Sequence, residues 1–343
     1  MVNQERIGTI LHGALGDCYE QLCAIGEMKR ADPSKRWIGF FAVPNRLSAM
    51  THFDLNMLDE VYSATAIEQV EVDRFYQFQI KDIELQNEVV DRLPPKVREK
   101  LAFTSNRKPW IFLRSHDFRK SGLALSLSEQ GQDYVPVCMT NNGLKPEVFR
   151  QKFTVGYLWR HRSGGGFIGA QGQRSKEWIL QTKSELFRKL IEQYNAHIII
   201  AGMNKSKETV EDIPKSVKET GVFVEGEYLA KFTDSELNIP KEHATYLKGL
   251  GFAAEMEIMA RCNLLVMMPS GFSEALWMRR TVPVILVDPP PAYMARIWYH
   301  RMPLFDNRRP SYAFYNTFVR HTAENVLKFL RKQKLLGLAK ERA

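Results

Sequence analysis

Ser270, Gly271 and Ser273 stand in the segment NLLVMMPSGFSEALW, where a short apolar run gives way to small residues and then to a helical pattern. A strand that leads through a small-residue turn into a helix leaves backbone N–H groups unpaired at the positive end of the helix dipole, which favours a bound phosphate. The same order opens the chain. RIGTILHGALGDCYEQLCAIGEM is apolar from Ile7 to Leu11, turns through Gly13 and Gly16, and resumes as a helix with Asp17 at its start. Glycines there let backbone come close to a ligand. The Asp17 carboxylate could act as a general base or could cap the helix. The three-glycine spacing of a dinucleotide fingerprint is lacking.

The stretch WRHRSGGGFIGAQGQRSKEW carries the densest polar chemistry. Arg160 and Arg162 would emerge from a strand into a glycine-rich loop, with Arg174 and Lys176 following. Guanidinium forks bind oxyanions bidentately and glycines admit backbone amides, so a phosphate clamp is one reading and a basic surface loop the other. His161 reads as a surface histidine. Further on, PPPAYMARIWYHRMPLFDNRRPSYAFYNTF mixes aromatics with arginines, which could stack a base or sugar or equally pack the chain.

A formal charge of +9 over 343 residues calls for an anionic partner. There is no zinc-finger spacing, no RNP-type aromatic strand and no long basic helix, so nucleic acid is not expected and a diphosphate is the economical choice. Hydrophobic residues at 44% and charged residues at 25% are ordinary for a globular protein, and the length suits two domains. No run reaches the ~18 apolar residues of a membrane span, and MVNQERIGTILHG shows no signal-peptide pattern, which gives a cytoplasmic expectation. Cys18, Cys23, Cys138 and Cys262 lack metal-ligand spacing and read as reduced structural thiols. No metal site and no cofactor are expected.

These residues need strands to hold them. Periodicity predicts strands at Ile7–Leu11, Trp37–Ala42, Trp110–Leu113 and Phe153–Trp159, and short apolar strands in HIIIAG, GVFVEG, NLLVMM and PVILVD. Helices are predicted over 17–31, over 66–92, and over Lys183–Tyr194 with Leu186, Phe187, Leu190 and Ile191 on one face. The alternation is that of doubly wound α/β domains with parallel sheets. Polar residues with Gly and Pro in MTNNGLKPEVFRQK mark a boundary near 139–152, giving domains at 1–145 and 146–320. The segment 321–343 reads as an amphipathic helix, docked on the core or crossing back to the first domain. Its lysines and arginines leave a membrane-surface role open.

The stretch ILHGALGDCYEQLCAIGEMKRADPSKRWIGFFAV resembles the start of the bacterial heptosyltransferase family, glycosyltransferases of the GT-B class. The likeness continues in QRSKEWILQTKSELFRKLIEQYNAHIIIAGMNKSKE and in ARCNLLVMMPSGFSEALWMRRTVPVILVDPP, three patches in the family's order that cover about a third of the chain. The resemblance implies two facing Rossmann-like domains with an interdomain cleft. It implies Asp17 as catalytic base, Lys176 as a contact to the donor's phosphates, and donor binding by the loop containing Gly202 and the turn at Ser270 to Glu274. Where the family has Asp-Thr-Gly followed by Ser-His, this chain has Pro269, Ser270, Gly271, Phe272, Ser273 and Glu274, a different polar set from the one that meets ADP-heptose. Glu274 could hold the donor's ribose or sugar hydroxyls, as an acidic residue does in other GT-B enzymes, or be an ordinary first-turn Glu.

The expected activity is transfer of a sugar from a nucleotide-diphosphate donor to a hydroxyl of a glycan, lipid-linked or small-molecule acceptor, with inversion. No Asp-x-Asp motif is present, which fits metal independence. Two rivals are a nucleotide-sugar epimerase on a similar frame and a nucleotide-sugar-binding protein whose site has decayed. The basic surface leaves peripheral contact with an anionic membrane open under any of the three.

Overall fold

The computed structural model describes residues 4–11, 15–42, 47, 49–76, 125–158, 172–201, 239–248, 250–267, 276, 284–286 and 322–337. The chain divides into two units, Met1–Gln132 and Asp133–Ala343. The division falls inside a helix, Glu129–Asn141, and so upstream of the polar stretch that marks a boundary in the sequence.

The first unit is built on β1 (Arg6–Leu11), α1 (Leu15–Ala31), β2 (Arg36–Phe41), β3 (Glu60–Ser63) and β4 (Arg74–Tyr76). The four strands are parallel in the order β3-β2-β1-β4. Ile7 to Leu11 and Trp37 to Phe41 are buried without alternation, as strands covered on both faces must be. Ile10, Ile38, Phe40 and Phe75 pack with Ile67 and Val72, while Cys18, Leu22, Cys23 and Ile25 of α1 are buried as well. Asp59 ties helix to sheet, its carboxylate accepting from the Trp37 amide at 2.7 Å and from the Lys29 ammonium at 2.8 Å.

The predicted helix over 66–92 does not start where the pattern suggests. Ala64–Ala66 is one 3₁₀ turn, begun by Ser63, whose hydroxyl accepts from the Thr65 amide. The chain then joins the sheet as β4, where Asp73 accepts the Arg6 amide at 2.7 Å and donates its own amide to the Arg6 carbonyl at 2.9 Å. Pairing to the free edge of β1 overrides the local pattern. Residues 77–92 and the predicted strands Trp110–Leu113 and GVFVEG lie outside the described residues.

The second unit takes most of α2 (Glu129–Asn141), then α3 (Val148–Gln151), β5 (Phe153–Leu158), α4 (Gly172–Tyr194), β6 (Ala196–Ala201), β7 (Ala244–Tyr246), α5 (Phe252–Ala260), β8 (Leu264–Met267), β9 (Val284–Leu286) and α6 (Ala323–Lys332). Its five strands are parallel in the order β7-β6-β5-β8-β9. β5, β6 and β8 are buried at every residue. α4 starts eleven residues before the predicted Lys183, and buries Leu186, Phe187 and Leu190. α6 is capped by Thr322, whose hydroxyl accepts from the Asn325 amide at 3.2 Å, and it buries Ala323, Val326, Leu327 and Leu330 in the same core. Lys189 of α4 meets Glu324 at 3.0 Å, and Arg331 donates to the Tyr194 hydroxyl at 3.2 Å. The terminal helix thus spends its apolar face on the second unit, against α4.

In the second unit, polar groups at the strands' amino ends pair with one another. The Thr154 amide and hydroxyl donate to the Asn263 carboxamide at 2.8 and 2.9 Å, and the Asn263 amide donates to the Thr154 hydroxyl at 3.1 Å. His197 Nε2 shares a 2.8 Å bond with the Thr245 hydroxyl. Burial, then the nearby His243 and Lys152, push the His197 imidazole below the ordinary histidine range. A folded-state pKa below the unfolded value means that the unfolded chain takes up the proton first on acidification. This contribution to stability is intact above the unfolded histidine's pKa of about 6.5 and is lost as pH falls through the folded value. The melting temperature, followed from pH 8 to 5, is therefore expected to fall less steeply in His197→Gln than in the unaltered chain. Parallel curves would contradict the assignment.

Candidate functional site

Both sheets reverse direction at one place. In the first, the chain runs from β1 outward to β2 and β3, then returns to the other side of β1 as β4. In the second it runs from β5 to β6 and β7, then returns beside β5 as β8. The connections on the two sides of such a point diverge, and the gap beyond the strands' carboxyl ends is where open α/β sheets bind ligands. The switch points are β1/β4 and β5/β8.

The register sharpens this in the second unit. Leu158 lies opposite Ala201, and Tyr157 opposite Val266, so β6, β5 and β8 end within a residue of one level. The chain leaves them at Gly202, Trp159 and Met268. Residues 159–171 then connect β5 to α4, with Arg174 and Lys176 the third and fifth residues of that helix. Residues 268–275 connect β8 to the buried, helical Leu276. Arg160, Arg162, Gly202, Ser270, Gly271, Ser273 and Glu274 all fall outside the described residues, as do His161 and the arginines of the aromatic-rich stretch. What is described is their points of departure, three neighbouring strand ends at the middle of one sheet.

In the first unit β1 ends at Leu11 and α1 begins at Leu15. Gly13 lies outside the described residues. Gly16, read from the sequence as part of the turn, is instead the second residue of α1. A glycine costs little there, because first-turn amides have no intrahelical acceptor to lose. Asp17 is the third residue, in the first turn, where the helix dipole favours a carboxylate. Two residues on, Tyr19 is fully buried. Its hydroxyl accepts from the Leu125 amide at 3.1 Å and its ring sits edge-on to Phe53, centroids 5.5 Å apart. The start of α1 is thereby tied to the segment around Leu125, whose neighbour Leu127 bridges to Phe53.

All four cysteines are buried and unbridged. Burial pushes the Cys23 thiol far up, with Glu20 and Glu27 adding to it, and burial alone does the same for Cys262. Thiols so held are poor nucleophiles, in agreement with a structural role. Among the described residues no cluster of three or more His, Cys, Asp or Glu side chains could hold a metal ion.

A groove of about 470 Å³ opens where the end of α2 meets the carboxyl end of β7, lined by Asn141, Asn142, Gly143, Ala244, Thr245, Tyr246 and Lys248. Asn142 builds its wall, accepting from the Lys248 amide at 2.6 Å and donating to the Cys138 and Lys248 carbonyls at 2.9 and 3.3 Å. Gly143 follows with φ +66°, the left-handed geometry of a helix C-cap, so Asn-Asn-Gly was a legible stop signal.

Comparison with solved structures fits this arrangement. The ADP-heptose LPS heptosyltransferase II of E. coli matches with a TM-score of 0.55 and 14% identity, over 98% of this chain and 100% of that one. The family 9 glycosyl transferase of Veillonella parvula matches with a TM-score of 0.56 and 11% identity, over 97% and 98%. The chain has a GT-B fold. At these identities the likeness is one of architecture. A UDP-N-acetylglucosamine 2-epimerase from Rickettsia bellii is a looser match, with a TM-score of 0.48 and 11% identity over 96% and 88%. No protein-family model and no curated protein matches the sequence. No helix among the described residues is long and apolar enough to cross a membrane.

Tyr19→Phe removes one oxygen from this GT-B chain and leaves the ring packing in place. The Leu125 amide is then buried without an acceptor, at a cost of about 1–3 kcal/mol. A lower midpoint in urea with unchanged slope is the expected result, together with faster hydrogen exchange at Leu125. Unchanged exchange there would show that the bond does not hold in solution.

Proposed function

We propose that this GT-B chain is a glycosyltransferase that moves a sugar from a nucleotide-diphosphate donor to an acceptor hydroxyl, with inversion and without a metal ion. The observation that carries the reading is that the two motifs singled out for their chemistry each follow a strand at its sheet's switch point, the Asp17 motif after β1 and the Ser270 to Glu274 motif after β8. Two solved structures of the same fold that match above a TM-score of 0.5 carry heptosyltransferase and glycosyl transferase names, which supports the class.

In this mechanism the donor's diphosphate meets the backbone amides at Ser270, Gly271 and Ser273 and the cations Lys176, Arg160, Arg162 and Arg174, near Gly202. Glu274 accepts from donor hydroxyls. Asp17 takes the proton of the acceptor hydroxyl as its oxygen bonds the anomeric carbon and the bond from that carbon to the diphosphate oxygen breaks. The nucleoside diphosphate leaves with its negative charge met by fixed cations and amide dipoles. The acceptor is a glycan, a lipid-linked sugar or a small molecule, handled at the cytoplasmic side and for a lipid-linked acceptor at the membrane surface. Donor binding then needs no cofactor.

A melting screen against UDP, GDP, ADP, CDP and dTDP identifies the base. A ligand at about 100 times its Kd adds about 2.7 kcal/mol to stability. The sugars of the nucleotide that binds are next offered to the chain, and release of nucleoside diphosphate is followed. Asp17→Asn should bind that nucleotide as the unaltered chain does while releasing it at least about a hundredfold more slowly, the scale of a positioned base. Wild-type turnover in Asp17→Asn rules out the base. Conversion of the donor to its epimer would assign the chain to the epimerases, and binding without turnover would make it a binding protein.

A further inference from the structure

The polar groups buried at the amino edge of the second sheet bond one another, but the cations around that edge meet no acids. Lys152, directly ahead of β5, donates to the carboxamide of Asn195, directly ahead of β6, at 3.0 Å. Lys241 opens the 3₁₀ turn Lys241–His243 that leads into β7, and His243 Nδ1 ties this turn to the Ala196 carbonyl at the start of β6, 3.1 Å away. Arg150 stands in the last turn of α3, two residues ahead of Lys152. α6 ends on the same edge. Tyr194, the last residue of α4, packs on Phe153, the first residue of β5, with ring centroids 6.3 Å apart, and its hydroxyl accepts from Arg331 at 3.2 Å. Lys332 and Lys334 follow. Three stretches far apart in sequence thus bring basic residues to one end of the sheet.

Arg150, Lys241, Lys332 and Lys334 are exposed, and among the described residues none of them forms an ion pair. Glu324 is taken up by Lys189 and Arg331, which leaves Glu147 and Glu242 as the acids of these stretches. The starts of β5 and β7 are two strand spacings apart, about 10 Å. That is comparable to the screening length of about 8 Å at physiological salt, so the cations act on an approaching surface together. The helix dipole accounts for a cation in the last turns of α3 and α6. It does not account for Lys241, which opens a turn, or for Lys334, which lies beyond its helix.

We propose that this edge is a docking surface for an anionic lipid membrane, held by charge and without insertion. α6 has the amphipathic pattern of a membrane-surface helix, but its apolar residues Ala323, Val326, Leu327 and Leu330 are buried in the core, so it has no face left to enter a bilayer. Arg331 spends its guanidinium on Tyr194, Gln193 and Glu324, so the fork that would grip a discrete phosphate is taken. What remains is mostly lysine, point charges spread over separate stretches with no stacking aromatic among them, which suits a diffuse anionic surface and not a strand of nucleic acid. The inference goes beyond the glycosyltransferase reading and does not depend on it. The six residues of β5 set the carboxyl edge about 20 Å from the docked one, so a membrane held here leaves that edge uncovered.

The test is cosedimentation of the full chain with phosphatidylcholine vesicles, with and without phosphatidylglycerol, at low and at high salt. The unaltered chain should sediment with the anionic vesicles at low salt, and should stay in solution at high salt or with neutral lipid. Each cation near such a surface is worth about fivefold in partition. Lys332→Gln/Lys334→Gln should therefore bind at least about tenfold more weakly, and the further changes Arg150→Gln and Lys241→Gln should abolish sedimentation. Arg30→Gln/Arg74→Gln removes as much charge as the first pair from exposed positions of the first unit, and should bind as the unaltered chain does. Melting temperatures on the same preparations should match. If the fourfold variant melts early, the pairs Lys332→Gln/Lys334→Gln and Arg150→Gln/Lys241→Gln are compared separately under the same criteria. Failure of the unaltered chain to bind anionic vesicles, equal weakening in the first-unit control, or undiminished binding by the edge variants overturns the proposal. Tighter binding of a short RNA duplex through the same four residues also overturns it, and assigns the edge to nucleic acid.

Discussion

A parallel strand covered on both faces has no solvent side on which to set a polar group. β1, β2, β5, β6 and β8 are all of this kind, with burial running through the strand instead of alternating. In the second sheet polar side chains are thereby confined to the two edges, whereas in the first Thr9 is buried in mid-strand with its hydroxyl unpaired. At the amino edge of the second sheet the polar residues are spent on one another. Thr154 closes with Asn263, and His197 with Thr245, so those groups stabilise the frame and offer little to a ligand. At the carboxyl edge the strands end on a common level, and the connections that follow them carry the serines, glycines and arginines of the proposed donor site.

The same constraint separates what was legible in the sequence from what was not. Fully buried strands are uninterrupted apolar words, and HIIIAG, NLLVMM and the Ile7–Leu11 run were read almost to the residue. The edge strands β3 and β7 are short and only half buried, EVYS and ATY, with no apolar run or alternation to betray them. β4 is a three-residue strand whose place is fixed by Asp73 pairing with Arg6, a contact between residues far apart in sequence that no local window contains. α2 carries Pro136 in its interior, a residue that argues against a helix in any local reading. Proline's missing N–H leaves the Gln132 carbonyl without its helical donor, and contacts on either side, such as the Asn142 bonds to Lys248, hold the remainder of the helix.

The candidate site stands out in the sequence by residue type. The Asp17 motif and the Ser270 motif each place small residues and an acid after an apolar run. Gly16 was assigned to the turn since glycine usually ends or bends an element, yet a helix's first turn accepts glycine cheaply. Lys183 left no sequence signal. A lysine at helical spacing is ordinary, and only the burial of its neighbours on both sides, together with its own, shows that it faces inward.

The two units differ in what stands at the carboxyl edge, and the difference has chemical logic. The first carries Asp17 in the opening turn of a helix, a position that favours an acidic residue. The second carries Arg174 and Lys176 in the first two turns of α4, with Lys183 buried about two turns further on. Displacing a diphosphate by a hydroxyl needs both signs of charge, a base for the incoming proton and cations for the departing oxygen. Set side by side on one helix, the two would neutralise each other as an ion pair. In the proposed transfer the base and the cations are carried on different sheets, each following its own switch point.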